Sequence, residues 1–372
     1  MRILIIPDSF KEGLKAVEVS RAILKGVLKT LPMADVEEIP FSDGGEGALD
    51  VLKRYGNGKL INCQTENALG EKIRTKYFLF KNKNTAWIEL SQASGLEQVP
   101  LRKRNILKAS TYGTGLLIKD AIDKGSKEII LGVGGSATND GGSGIFQALG
   151  GKLLSKKGVD IQKGGGALNK LEFIIPPKIP KEINWKVACD VNNTLLGNQG
   201  AANVYGPQKG ANSVDIEMLE DNILRFSKIV QKHYHRDIIN IEGGGAAGGT
   251  AAGMHGFFNA TLTSGFKILS RMIGLESKIE KADLIFTAEG KLDEQSIQGK
   301  LTGSIARLAR KYKIPVIGLA GSIKGPYDVF YASGFKGVFA IQTQPMDLSE
   351  SIANTAPLIT DTTSRVLNLY KK

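Results

Sequence analysis

Five polar segments hold the residues of this chain that can do chemistry. They are Pro7-Asp8-Ser9-Phe10-Lys11, Ser42-Asp43-Gly44-Gly45-Glu46-Gly47, Gly132 to Gly144, Cys189-Asp190-Val191-Asn192-Asn193 and Thr287 to Ser296. The densest is the third, Gly132-Val-Gly134-Gly135-Ser136-Ala-Thr138-Asn139-Asp140-Gly-Gly-Ser-Gly144, with six glycines in thirteen residues. Such a run cannot pack a core. It can bring backbone N–H groups close to an anion, because glycine has no Cβ in the way. A helix starting just after it adds the positive end of its dipole, so the segment reads as a seat for phosphate or carboxylate.

Several other chemistries lack their parts. His233-Tyr-His235 on a polar helix reads as a solvated face, and there is no HExxH zinc motif. Gly299-Lys300-Leu301-Thr302 fails as a phosphate loop, with leucine after its lysine and no glycine five residues before Gly299. Two stretches, at Gly132–Ala137 and Gly243–Gly248, match a dinucleotide fingerprint formally. Neither is followed about 20 residues on by an acid ending a second strand. A hydroxy-acid dehydrogenase using NAD(P) is therefore the alternative reading, and a non-catalytic binder of sugar acids a third.

What remains is carboxylate, lysine and backbone N–H, the equipment of phosphoryl transfer. Asp190, Asp43 or Glu289 can hold Mg²⁺ through one or two oxygens, and a further carboxylate can accept a hydroxyl proton. Asp190 is the leading candidate for metal ligand or base, with Asp8, Asp43 and Glu289 beside it. Lys11 and Lys291 are expected at a phosphate or carboxylate. Ser9, Gly44, Gly45, Gly134, Gly135, Ser136, Thr138, Asn139, Asp140, Lys209 and Asp293 complete the expected binding set. Taken singly, Asp8-Ser9 is equally a helix cap and Asp43-Gly-Gly a turn.

The elements that must position these residues alternate strand and helix. Arg2–Ile6 and Val36–Pro40 read as strands, and Val17–Leu31 and Glu46–Tyr55 as helices. Residues 60–63, 73–80 and 85–90 read as an antiparallel meander. Then come helix 113–124, strand 128–131, helix 142–149, a loop over 164–180, strand 185–189 and a polar helix over 215–235. Strands at 283–287, 315–319 and 337–341, with helices at 302–312 and 349–369, close the chain. Five apolar strands, two early and three late, suit one parallel sheet. The expected fold is thus α/β: a discontinuous Rossmann or flavodoxin-like domain (1–60 and 280–372) carrying an inserted mixed α/β domain (61–279), with the active site in the cleft. Each polar segment then follows a strand, where open α/β sheets bind ligands.

The totals agree with a soluble two-domain enzyme. The chain has 372 residues, 42% apolar and 23% charged, and a net charge of +12. Its basic residues are scattered, so no nucleic-acid partner is expected. Two cysteines without a CxxC, no spanning apolar run and an N-terminus too short for a signal sequence suggest a cytoplasmic protein. A monomer or homodimer is expected.

These motifs resemble the bacterial glycerate kinases of the first family. The resemblance rests on Pro7–Lys11, Ser42–Gly47, Gly132–Gly142, Ala188-Cys-Asp190-Val191, Gly206-Pro-Gln-Lys209-Gly-Ala211, Ala246–Gly249 and Glu289-Gly-Lys291-Leu-Asp293, in the family's order across nearly the whole chain. It implies ATP- and Mg²⁺-dependent phosphorylation of D-glycerate, with 2-phosphoglycerate the favoured product, and two α/β domains. The chain departs from the pattern at Ala288, Thr194 and Glu12-Gly-Leu-Lys-Ala16, changes of loop stiffness more than of charge.

Overall fold

The computed structural model describes residues 1–10, 13–41, 47–82, 84–297 and 301–370. The described residues form thirteen strands: β1 (Arg2–Ile5), β2 (Asp35–Glu38), β3 (Gly58–Glu66), β4 (Lys72–Phe80), β5 (Thr85–Glu89), β6 (Glu128–Gly132), β7 (Lys152–Leu154), β8 (Phe173–Ile175), β9 (Asn184–Ala188), β10 (Thr261–Thr263), β11 (Leu284–Leu292), β12 (Val316–Ile323) and β13 (Phe335–Ala340). The chain divides into two compact units, residues 1–43 with 269–372, and residues 44–268.

The first unit is a five-stranded sheet in the order β13-β12-β11-β1-β2, with every pair parallel. Numbered within the unit, this is the flavodoxin-like order 2-1-3-4-5, with its reversal between β1 and β11. β1, β12 and the first half of β11 are largely apolar runs, as expected where helices cover both faces, whereas the edge strand β2 is Asp35-Val-Glu-Glu38. Ile3, Ile5, Leu284, Phe286 and Leu319 are wholly buried, and the helices Ala16–Thr30 and Thr355–Leu367 contribute Val19, Ile23, Val27 and Ile359 to the same core. Register pairs Ile5 with Phe286 and Leu292 with Ile323. Because β12 pairs with β11 that far, Glu289, Gly290 and Lys291 are strand residues and not the loop their polarity suggests. The single helix expected over 349–369 breaks after Ala353 into two, Leu348–Ala353 and Thr355–Leu367.

The second unit is a six-stranded mixed sheet, β10-β9-β6-β5-β4-β3, parallel from β5 to β10 and antiparallel from β3 to β5. The helix Ala48–Tyr55 belongs to this unit, so the unit's edge lies at residue 43 and not at the expected 60. Likewise its far edge lies at 268, before the expected 279. Residues 164–180 are not plain loop: a turn of 3₁₀ helix at Gly165–Lys170 precedes β8, which pairs with β7.

The second stretch that matches a dinucleotide fingerprint, Gly243–Gly248, runs into the helix Ala246–Phe258. That helix is interrupted at Ala247, Gly248 and Gly249, where φ is +52°, +64° and +82°. Its glycines serve packing. A Cβ on Gly253 would lie 1.8 Å from the carbonyl oxygen of Gly141, a backbone atom that cannot rotate away. Gly253→Ala is therefore expected to cost about 3 kcal/mol, at the upper end of overpacking penalties, read as a lowered thermal midpoint. An unchanged midpoint would mean that the helix and the loop are not so closely apposed.

Candidate active site

In the second unit, β6 runs directly into the glycine loop. Asp140 is fully buried there and accepts five donors. The Thr111 amide lies at 2.8 Å, the Thr111 hydroxyl at 3.0 Å, the Ser110 hydroxyl at 3.3 Å, and the Gly142 and Gly144 amides at 3.1 and 3.2 Å. Burial pushes its carboxyl up from the usual range, while bonds from Thr111, Gly144 and Gly142 pull the other way. Asp140 thus folds the loop onto the start of the helix Tyr112–Asp123, its carboxylate engaged by these five donors.

The anion cradle expected over Ser136–Asp140 changes accordingly. The amides of Gly142 and Gly144 are spent on Asp140, and that of Ala137 donates to the Ser94 carbonyl at 2.9 Å. No described group accepts from the amides of Gly134, Gly135 or Ser136. Gly134 and Gly135 are only half-buried, and Gly135 takes φ +68°, which glycine permits. Thr138 and Asn139 are wholly buried, and the Thr138 hydroxyl and both polar atoms of the Asn139 amide lack a protein partner.

Lys209, expected at a substrate anion, is instead 2% exposed. Its ammonium donates to Ser136 Oγ at 2.8 Å and to the Thr138 carbonyl at 2.7 Å, with the Tyr205 ring 5.9 Å away. Burial pulls its pKa down to about 7, opposed by the charge of Asp140.

Beyond β9, Asp190 is half-buried and its Oδ2 accepts the Gly265 amide at 3.0 Å, at the start of the helix Gly265–Met272. Asn193 accepts the Tyr205 hydroxyl at 2.7 Å and donates to the Gln199 carbonyl at 2.9 Å, which fixes the segment after Asp190. At the end of β5, buried Glu89 accepts the Leu49 amide at 2.8 Å and so holds the first turn of the helix Ala48–Tyr55. Sequence reasoning passed over Glu89, although an acid ending an otherwise apolar strand was the available signal. Lys11, Asp43, Gly44, Gly45 and Lys300 lie outside the described residues.

In the first unit, Asp8 and Ser9 follow β1 at the reversal of strand order, where flavodoxin-like sheets bind ligands. The Asp8 amide donates to the Ala288 carbonyl at 2.8 Å, which sets Asp8 beside β11. The Ser9 amide donates to the Asp8 carboxylate at 2.7 Å. On β11, Glu289 is buried and accepts the hydroxyl of Thr302, a partner the sequence did not suggest. Lys291 pairs with Asp293 at 3.0 Å, and Asp293 accepts the Ser296 amide at 3.2 Å. The Lys291 side chain is 55% exposed, so this ion pair adds little stability and leaves the ammonium able to turn to an anion.

Among the described residues, no three His, Cys, Asp or Glu side chains gather at metal-binding spacing. A Mg²⁺ ion needs no such cage when phosphates and water fill its shell. Asp190 is half-buried, and a carboxylate there can supply a single oxygen to such an ion.

Two α/β units with polar segments at the carboxyl ends of parallel strands are the architecture of a small-molecule α/β enzyme. The chain belongs to the glycerate kinase family, whose model matches residues 3–371. It is 41% identical to a glycerate kinase of Halalkalibacterium halodurans over 354 residues, covering 94% of this chain and 93% of that one. It is also 41% identical to the glycerate 2-kinase of Escherichia coli K12 over 355 residues, with the same coverage. A crystal structure from Salmonella typhimurium LT2, assigned to glycerate kinase 2, matches with a TM-score of 0.82 and 39% identity over 100% of this chain and 98% of that one.

Proposed function

We propose that this chain transfers the γ-phosphoryl group of ATP to the 2-hydroxyl of D-glycerate, giving 2-phosphoglycerate and ADP. The observation that carries the reading is the 41% identity to a glycerate 2-kinase across 94% of the chain. In the reaction the hydroxyl oxygen bonds to the γ-phosphorus, the bond from that phosphorus to the bridging oxygen of ADP breaks, and the hydroxyl proton leaves to a carboxylate. The protein's task is to hold two anions in line and to neutralise charge. Asp190 is assigned as proton acceptor or metal ligand, with Asp43 a second candidate ligand. Asp8, Ser9, Glu289, Lys291 and Asp293 form one proposed polar set, with Lys11 as a further cation. Gly134, Gly135 and Ser136 form a second set facing an oxyanion. Bound Mg²⁺ would supply charge neutralisation at the phosphates. The same reading takes the protein as a cytoplasmic monomer or homodimer; no described helix is long and apolar enough to cross a membrane.

The test is ADP release with D-glycerate, L-glycerate and other small hydroxy acids, with and without Mg²⁺, followed by phosphorus NMR of the product. D-glycerate is expected to support Mg²⁺-dependent turnover. The new ester should appear as a doublet, from phosphorus coupled to the single proton on C2, where an ester at C3 would give a triplet. Turnover with another acid but not with D-glycerate would retire the substrate. No ADP with any acid would retire the kinase.

A further inference from the structure

Beside the loop Gly132–Gly144 lies the buried Lys209, and the loop carries a serine whose hydrogen-bonding direction that lysine decides. Ser136 Oγ accepts from Lys209 at 2.8 Å. With its oxygen occupied by a cationic donor, the hydroxyl proton of Ser136 is free only to donate elsewhere, and no described group accepts it. The amides of Gly134, Gly135 and Ser136 itself stand beside it without acceptors. The lysine's second bond, to the Thr138 carbonyl, pins the loop from below. A hydroxyl committed to donation next to three unused amides suits an oxyanion and repels a cation.

We infer that Lys209 is a positioning residue that turns the Ser136 hydroxyl outward as a donor to a carboxylate or phosphate oxygen of the substrates. The inference rests on the proposed kinase reading for which anion arrives, but not for the seat itself. A deprotonated Lys209 amine can accept the Ser136 proton and turn the hydroxyl inward. Its ammonium is present below about pH 7 and lost above it, so anion affinity should fall as pH rises through that value. The groups around Lys209 are Asp140, whose charge raises its pKa, and the Tyr205 ring on the preceding helix, while the Arg104 guanidinium donates to the carbonyl of neighbouring Gln208 at 3.0 Å.

The experiment measures three ligands separately by calorimetry: D-glycerate, ATP, and inorganic phosphate as the minimal oxyanion. The proteins are wild type, Ser136→Ala, Lys209→Met, Lys209→Arg and the Ser136→Ala/Lys209→Met double variant, each with a thermal unfolding curve. Ser136→Ala and Lys209→Met should each weaken one anion by roughly tenfold, a loss of the size expected for a hydrogen bond to a charged group. The double variant should be no weaker than Ser136→Ala alone, and Lys209→Arg, which stays charged, should retain binding at pH 8. If D-glycerate is the ligand weakened, the seat holds the acceptor's carboxylate; if ATP is, it holds a phosphate. Additive losses, or full affinity in folded Lys209→Met, would overturn the inference. Should Lys209→Met not fold, the wild-type affinity must still decline through pH 7 and Ser136→Ala must flatten that decline; a pH-independent wild type would overturn it equally. Phosphate binding tests the seat even where neither D-glycerate nor ATP proves to be a substrate, so failure of the two readings can be told apart.

Discussion

Asp140→Ala is expected to destabilise the unit spanning residues 44–268 by about 4 kcal/mol, the cost of removing one partner from a buried charge network. The carboxylate collects three backbone amides and two hydroxyls with no water access. Alanine would leave all five donors buried and unpaired, and each such group costs more to strand than its bond was worth. It would also remove the negative charge that supports the Lys209 ammonium. For a unit of this size the thermal midpoint should drop by roughly 10 °C. Asp140→Asn should fall between, since its amide oxygen still accepts while its NH₂ group faces donors. The measurement is a thermal or urea transition followed by far-ultraviolet circular dichroism. If Asp140→Ala unfolds at the wild-type midpoint and only activity is lost, Asp140 contacts substrate and is not the loop's clamp.

This assignment could not have been made from the sequence. Asp140 stands amid glycines, hydroxyls and an amide, the composition of an anion seat, and the partners that consume its lone pairs lie 29 and 30 residues away at Thr111 and Ser110. Lys209 is farther still, 73 residues from the serine it engages. Residue type announces that a lysine and an aspartate matter, but only the long-range fold tells whether they face ligand or each other. The parallel sheet was legible for the opposite reason. Strands buried on both faces must be continuous apolar runs, and Arg2–Ile5, Leu284–Thr287 and Val316–Leu319 are such runs. The helix Ala246–Phe258 was illegible because its glycines and alanines look like a flexible loop. They are there because the carbonyls of Thr138 and Gly141 leave no room for a Cβ at Gly248 and Gly253. The length of β11 was likewise hidden: Glu289 and Lys291 look like loop residues until Ala320 and Ser322 on β12 pair with them.

Asp190→Asn is expected to lower kcat by about 100-fold or more, within the range attributed to a general base, while moving the thermal midpoint hardly at all. The two halves of that expectation have separate physical causes. Asp190 holds the Gly265 amide through Oδ2 at 3.0 Å, and the amide oxygen of asparagine makes the same bond, so the start of the helix Gly265–Met272 keeps its anchor. The carboxylate's charge is what asparagine lacks, and charge is what proton acceptance or Mg²⁺ coordination requires. Steady-state kinetics at saturating ATP, at several Mg²⁺ concentrations, separate the two roles. A metal ligand should show activity partly restored by high Mg²⁺, whereas a base should show none restored at any concentration. Asp190→Ala adds a control, since it removes both the charge and the anchor and should lower the midpoint as well as kcat. Retention of most wild-type turnover in Asp190→Asn would leave Asp190 with its capping role alone and shift the search for the proton acceptor to Asp8 and Glu289.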